Sequence, residues 1–191
     1  MKRLLFIALA LVVAGGALAQ EQDTFGLWQL VDGEYRNYIP AEEVNGPFTL
    51  FLTLHDSSIF TIGGYEVGIM VPDFLFVTGA SGPNDWTNFG DNTNHLVGYV
   101  TPLPTFGEPI VVLGQIDCLG TEIPSMPEHI VYMAADPPSV PDHDGPVIAD
   151  GVNPDILIPC GYVNGAPEVF LVGGIVGTEA HTLTGVKALF D

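Results

Sequence analysis

Three features of this sequence predict an all-β fold, an antiparallel β-sandwich of roughly eight to ten strands. Apolar and polar residues alternate with period two over most of the chain, and Gly, Pro and Asn turn signals recur at short intervals. No stretch beyond the N-terminus carries apolar residues at helical spacing for three turns, and prolines interrupt most candidates. A jelly roll or β-barrel satisfies the same pattern.

The chain begins with Met1-Lys2-Arg3, an apolar run from Leu4 to Ala14, a Gly15-Gly16 break and Ala17-Leu18-Ala19. These are the basic, apolar and small-residue parts of a secretory signal peptide, with cleavage expected after Ala19. The apolar part is too short for a comfortable membrane span, and Gln20 stands where a lipid-anchored chain needs Cys. Export to the periplasm, the cell surface or the medium follows, with the sandwich at 20–177 and a tail at 178–191.

The first strand expected is Phe25 to Val31, ended by an Asp32-Gly33 turn. In Pro47 to His55, Phe48, Leu50, Leu52 and Leu54 face one side while Thr49, Phe51, Thr53 and His55 face the other. Ile59 to Ile62 and Tyr65 to Val71 flank Gly63-Gly64, which is a hairpin turn or a bulge in one bent strand. Phe74 to Val77 is continuously apolar, as in a strand covered on both faces. Further runs lie at Leu96 to Val100, Ile110 to Leu119, Ile130 to Ala134, Ile156 to Cys160 and Val169 to Val176. Asn164-Gly165 is a hairpin signal that should make the strands on its two sides neighbours.

Cys118 and Cys160, 42 positions apart, are the only cysteines. In an exported chain they are expected to pair, closing a loop worth roughly 4 kcal/mol in the chain-entropy model. After cleavage only Arg36 and Lys187 face 23 Asp and Glu. Nucleic acid and anionic membrane surfaces, which attract clustered Lys and Arg, are excluded as partners. No segment after the leader is long and apolar enough for a membrane helix.

Two loops concentrate polar chemistry. Between Ile130–Met133 and Ile156–Cys160 lies an acidic stretch in which Asp142-His143-Asp144-Gly145, Asp150 and Asp155 are candidate Ca²⁺ ligands. It lacks the ligand offsets and terminal Glu of an EF-hand loop, and as ordinary turn residues these aspartates need hold no ion. From Ser81 to His95, Asn84, Asp85, Trp86, Asn88, Asp91 and Asn94 supply amides, carboxylates and an aromatic face, the groups a sugar-binding site uses. The same residues suit a turn-rich loop with Trp86 in the core. The five histidines show no metal-ligand spacing, and His95 with His143 is the pair that folding could best bring together.

The end Gly185-Val186-Lys187-Ala188-Leu189-Phe190, with Trp86 to His95 and Ala134 to Pro141, resembles uncharacterised exported β-sandwich proteins of uncultured bacteria. That resemblance implies an exported β-fold and carries no activity.

The sequence has no nucleophile elbow, phosphate-binding glycine loop or cofactor signature. It therefore points to a non-enzymatic exported module that binds a glycan or another cell-surface component, or forms part of a surface structure, with Ca²⁺ as its one candidate ion. Two other readings remain open. One is a polysaccharide hydrolase using an acid pair from Asp85, Asp91, Asp142 and Asp144. The other is a self-assembling subunit whose extended end, Gln20 to Val31, adds to a neighbour's sheet edge.

Overall fold

The computed structural model describes residues 22–174. The leader and the tail at 178–191 lie outside these residues. Within them the chain is a β-sandwich of two packed sheets and not a closed barrel. In chain order the strands are β1 (Thr24–Val31), β2 (Glu34–Arg36), β3 (Tyr38–Pro40), β4 (Gly46–His55), β5 (Thr61–Met70), β6 (Leu75–Ser81) and β7 (Trp86–Asn88). There follow β8 (Asn94–Pro104), β9 (Ile110–Gly120), β10 (Glu128–Met133), β11 (Val147–Asp150), β12 (Leu157–Pro159), β13 (Gly161–Tyr162) and β14 (Glu168–Gly174). One helical turn, α1 (Ala41–Val44), joins β3 to β4.

Sheet A has the order β13-β1-β4-β9-β6, with β2 folded back on β1. The β1–β2 turn has positive φ at both Asp32 and Gly33, the conformation that the Asp-Gly pair favours. Sheet B runs β12-β11-β5-β10-β14-β3, and β8 pairs with β5 while carrying β7 on its far side. Most pairings are antiparallel; β13 with β1 and β14 with β3 are parallel.

The alternation read from β4 sets its inward face. Leu50, Leu52 and Leu54 are fully buried and join Phe25 and Leu27 of β1, Tyr65, Val67 and Ile69 of β5, and Ile130 and Tyr132 of β10 in one core. Burying a Leu of this kind is worth roughly 2 kcal/mol, so the inward row of β4 alone is a large fraction of a domain's net stability. Tyrosines from sheet B cross this core: Tyr132 Oη donates to the Gly26 carbonyl at 3.0 Å and Tyr99 Oη to the Leu113 carbonyl at 2.7 Å. Polar contacts through an apolar core register the two sheets against each other.

Of the two expectations for Gly63-Gly64 the bulge holds and the turn does not: β5 is continuous and its register against β8 shifts between Ile62 and Gly64, as glycine accommodates. Other expectations are corrected. Phe74–Val77 is not covered on both faces, since Phe76 is 53% exposed while Leu75 is buried; its strand, β6, is also the edge of sheet A. Asn164-Gly165 does turn the chain, with the Gly165 N–H on the Tyr162 carbonyl at 2.8 Å, yet β13 and β14 are not neighbours. The backbone of Gly161 and Val163 is already hydrogen-bonded to β1, so the turn passes the chain from sheet A to sheet B. A strand unmarked by the sequence reading, β11, sits within the acidic stretch and pairs with β5.

The expected disulfide does not form. Cys118 and Cys160 are both buried free thiols, and strand register gives the reason. Cys160 adjoins Gly161, which pairs with Thr24; Thr24 pairs with His55, and His55 with Ile110. Cys118 lies eight residues farther along β9, which at about 3.3 Å per residue places it more than about 20 Å away. A disulfide requires its Cα atoms within about 7 Å. Burial, with Asp117 nearby, pushes the Cys118 thiol up to about 12, and burial likewise raises Cys160. Neither forms a reactive thiolate at neutral pH.

Candidate functional site

The two polar loops meet on the outer face of sheet B. There β5, β8 and β11 turn Gly64, Glu66, Leu96, Gly98, Val147 and Ala149 away from the core, because Tyr65, Val97 and Ile148 between them point inward. Small residues leave a groove of about 360 Å³. Phe89 from the Asn-rich loop forms one wall, and Pro137 and Ser139 from the stretch after β10, with Pro154 and Leu157, form the other side. Phe89 is 76% exposed, and a Cβ on Gly98 would lie 3.5 Å from its ring.

Most of the loop's polar groups hold the loop itself. Asn88 Oδ1 accepts from the Gly90 and Leu96 N–H groups at 3.0 and 2.9 Å, and Asn88 Nδ2 donates to the Asp91 carbonyl at 2.7 Å. Asp91 Oδ1 accepts from the N–H groups of Thr93 and Asn94 and from the Thr93 hydroxyl. Those bonds stabilise its anion and hold its carboxyl below the usual range. Asn84 and Asp85 take positive φ in the turn before β7, a conformation that Asn and Asp tolerate better than most residues.

Trp86 packs against the core. Its indole N–H donates to Tyr65 Oη at 3.3 Å, and Tyr65 Oη in turn lies 3.3 Å from His95 Nδ1. His95 Nε2 is 3.1 Å from the Asn92 carbonyl and donates to it, so Nδ1 is the acceptor for the tyrosine hydroxyl. Burial holds His95 below its ordinary value and in this neutral form. The chain Trp86–Tyr65–His95–Asn92 anchors the loop from beneath, leaving Phe89 as its exposed ring.

The acidic stretch is spread out. Asp150 Oδ1 accepts from the Val152 and Asn153 N–H groups, capping the turn after β11. Asp142, at positive φ, and Asp155 are exposed, while Asp144 lies near Tyr162 and, after burial, contributes to raising that phenol. Among the described residues no three of His, Cys, Asp and Glu come together where they could hold a metal ion. His143 contacts the Pro146 carbonyl in its own loop, whereas His95 is buried beneath Trp86.

Glu66 and Phe89 are the groove residues that sequence reasoning passed over. Glu66 sits on β5, where period-two alternation already turned it outward, and its Oε2 accepts the Ser139 N–H at 3.0 Å. Phe89 was marked by its setting, a single large apolar residue between Asn88 and Gly90 in a turn-rich loop.

No family model matches the chain, and no curated protein matches it at a significant level. Among the described residues no helix is long and apolar enough to cross a membrane.

Proposed function

We propose that this chain is an exported, non-enzymatic module that binds a glycan or a similar cell-surface component through the groove beside Phe89. The observation that carries this reading is the exposed Phe89 ring standing over the Gly98 floor with Glu66 at the rim. An exposed aromatic face packs against the apolar face of a sugar ring, and the glycines of the floor, Gly64 and Gly98, leave room for the ring to approach. Glu66, fixed through Oε2 by Ser139, offers Oε1 as an acceptor for hydroxyls. Residues 1–19 support export.

A binding role is favoured over hydrolysis because Glu66 is the single acid among the residues lining the groove, whereas glycoside hydrolysis uses two carboxyl groups roughly 5 to 10 Å apart. Asp85, Asp91, Asp142 and Asp144 all lie outside that lining.

The test is a glycan-array screen of the mature chain, followed by calorimetric titration of any hit. Phe89→Ala should weaken the hit at least about tenfold while leaving the melting temperature unchanged. A screen with no glycan bound, or a hit indifferent to Phe89→Ala, removes this reading.

One observation favours a second reading, self-assembly. Strand β6 ends sheet A, and its seven residues, Leu75 to Ser81, carry no charge and no proline. Such an edge is a template for pairing, although Asn92 Nδ2 reaches the Val77 carbonyl at 3.4 Å and blocks part of it. Of the expected donor end, Gln20 to Val31, the part Thr24–Val31 is engaged as β1 between β4 and β13, and Gln20 and Glu21 lie outside the described residues. Assembly would therefore join β6 edges. Sedimentation velocity should then show oligomers that grow with salt, as screening relieves repulsion between acidic copies. A monomer at every salt concentration rejects it.

A further inference from the structure

We infer a second binding site, for an organic cation presented as the Arg or Lys side chains of a basic peptide, in the cleft between the β4–β5 and β8–β9 loops. It lies apart from the Phe89 groove and does not depend on it. The cleft holds about 370 Å³ and is lined by Phe60, Phe106, Asp56, Glu108, Ser57 and Ser58, among others. Phe60 and Phe106 have ring centroids 5.4 Å apart at 56° between planes, yet they are 70% and 77% exposed. Two adjoining bare aromatic rings are an apolar surface that a folded chain rarely leaves open without use.

The rings stand on a stitched frame. The Asp56 N–H donates to the Pro109 carbonyl and the Thr105 N–H to the Phe60 carbonyl, both at 2.9 Å, while the Glu108 N–H donates to the Thr105 carbonyl at 3.2 Å. The Thr105 hydroxyl bonds the Ile59 carbonyl. The Ser58 N–H donates to Asp23 Oδ1 at 2.8 Å, tying the first loop to the start of β1. The pair is therefore presented with its conformational cost already met by the fold.

Charge selects the occupant. Glu108 in the lining of the cleft is an acid, and the only Lys or Arg among the described residues, Arg36, is engaged by Glu43 and Gln29. The faces of aromatic rings attract a cation within about 6 Å of their centroids, and the Glu108 carboxylate adds to that attraction. The overall acidity of the chain steers a basic segment toward it. Insertion of the rings into an anionic bilayer is disfavoured by Glu108 and by the overall acidity of the chain.

The experiment is a calorimetric and NMR titration of the mature chain with the peptide acetyl-(Gly-Arg)₃-amide at about 0.15 M salt, with acetyl-(Gly-Glu)₃-amide as control. Saturable binding of the arginine peptide alone is expected, with shifts at the amides of residues 56–60 and 105–108. The double variant Phe60→Ala/Phe106→Ala should weaken it at least about tenfold, Glu108→Gln by about three- to fivefold, and Phe60→Tyr/Phe106→Tyr should retain it. Asp142→Asn/Asp144→Asn removes equal or greater charge outside the cleft and should change it less than about twofold. Equal loss in that variant would reduce the effect to general acidity, and unchanged affinity in the alanine variant would remove the rings from the site; either overturns the inference. So would absence of peptide binding, or ring-dependent sedimentation with phosphatidylcholine vesicles in its place.

Discussion

Asn94 and Asp136 hold each other at two points. Asn94 Nδ2 donates to the Asp136 carbonyl at 2.7 Å, and Asn94 Oδ1 accepts the Asp136 N–H at 2.9 Å. A side-chain amide thus pairs with a backbone segment as a neighbouring strand would, joining the loop that carries Phe89 to the stretch that carries Pro137 and Ser139. The two walls of the groove are one unit because of this pair.

Asn94→Ala removes both bonds at a half-exposed position. The expected cost is about 1 kcal/mol of stability, a fall of a few degrees in melting temperature. Any ligand of the groove should dissociate faster, and hydrogen exchange should rise at Asp136 and Ser139. Exchange unchanged at both amides would show that the pair does not hold the walls.

Both thiols are buried and neutral. The native chain should react with less than about one equivalent of a thiol reagent over minutes, and two should titrate once it is denatured. Reductant should leave the melting temperature unchanged. A fall of several degrees in reductant would mean that the cysteines pair after all.

His55 lies on the outer face of sheet A beside Trp28, with its Nε2 2.9 Å from Thr53 Oγ1. Burial lowers its pKa from 6.5 to about 4, against a smaller opposing pull from Asp56. Because the folded value lies below the unfolded one, the unfolded chain takes up the proton first. The stability contributed by neutral His55 is complete above about pH 6.5 and is lost as pH falls toward 4, by on the order of 3 kcal/mol. Relieved repulsion among carboxylates acts in the opposite direction, so the measurement is a difference. Denaturant unfolding of His55→Gln and wild type should converge as pH drops from 7 to 4; a constant gap would contradict the assignment.

The acidic stretch gives a metal prediction. Asp150 is committed to capping a turn, and no three candidate ligands converge among the described residues. Thermal melts in EDTA and in millimolar Ca²⁺ should coincide within about a degree. A rise of several degrees in Ca²⁺ that Asp142→Ala and Asp144→Ala abolish would show the loop closing around an ion.

By itself the sequence determined the all-β class and the inward faces of the long strands. Leu50, Leu52 and Leu54 could bury together only on a period-two backbone, and Asp32-Gly33 could turn β1 into β2 because both positions accept positive φ. These are local matters, carried by residues within a few positions of one another. Tertiary structure alone decided that β6 is an edge, that the Asn164-Gly165 turn crosses between sheets, and that Cys118 and Cys160 lie far apart. It also decided that Asn88, Asp91 and Asn94 spend their groups on backbone, and that Phe89 meets Glu66 and Ser139 across a groove. Which strands become neighbours depends on the competition of every backbone donor and acceptor for a partner, and that competition is settled only when the whole chain has folded.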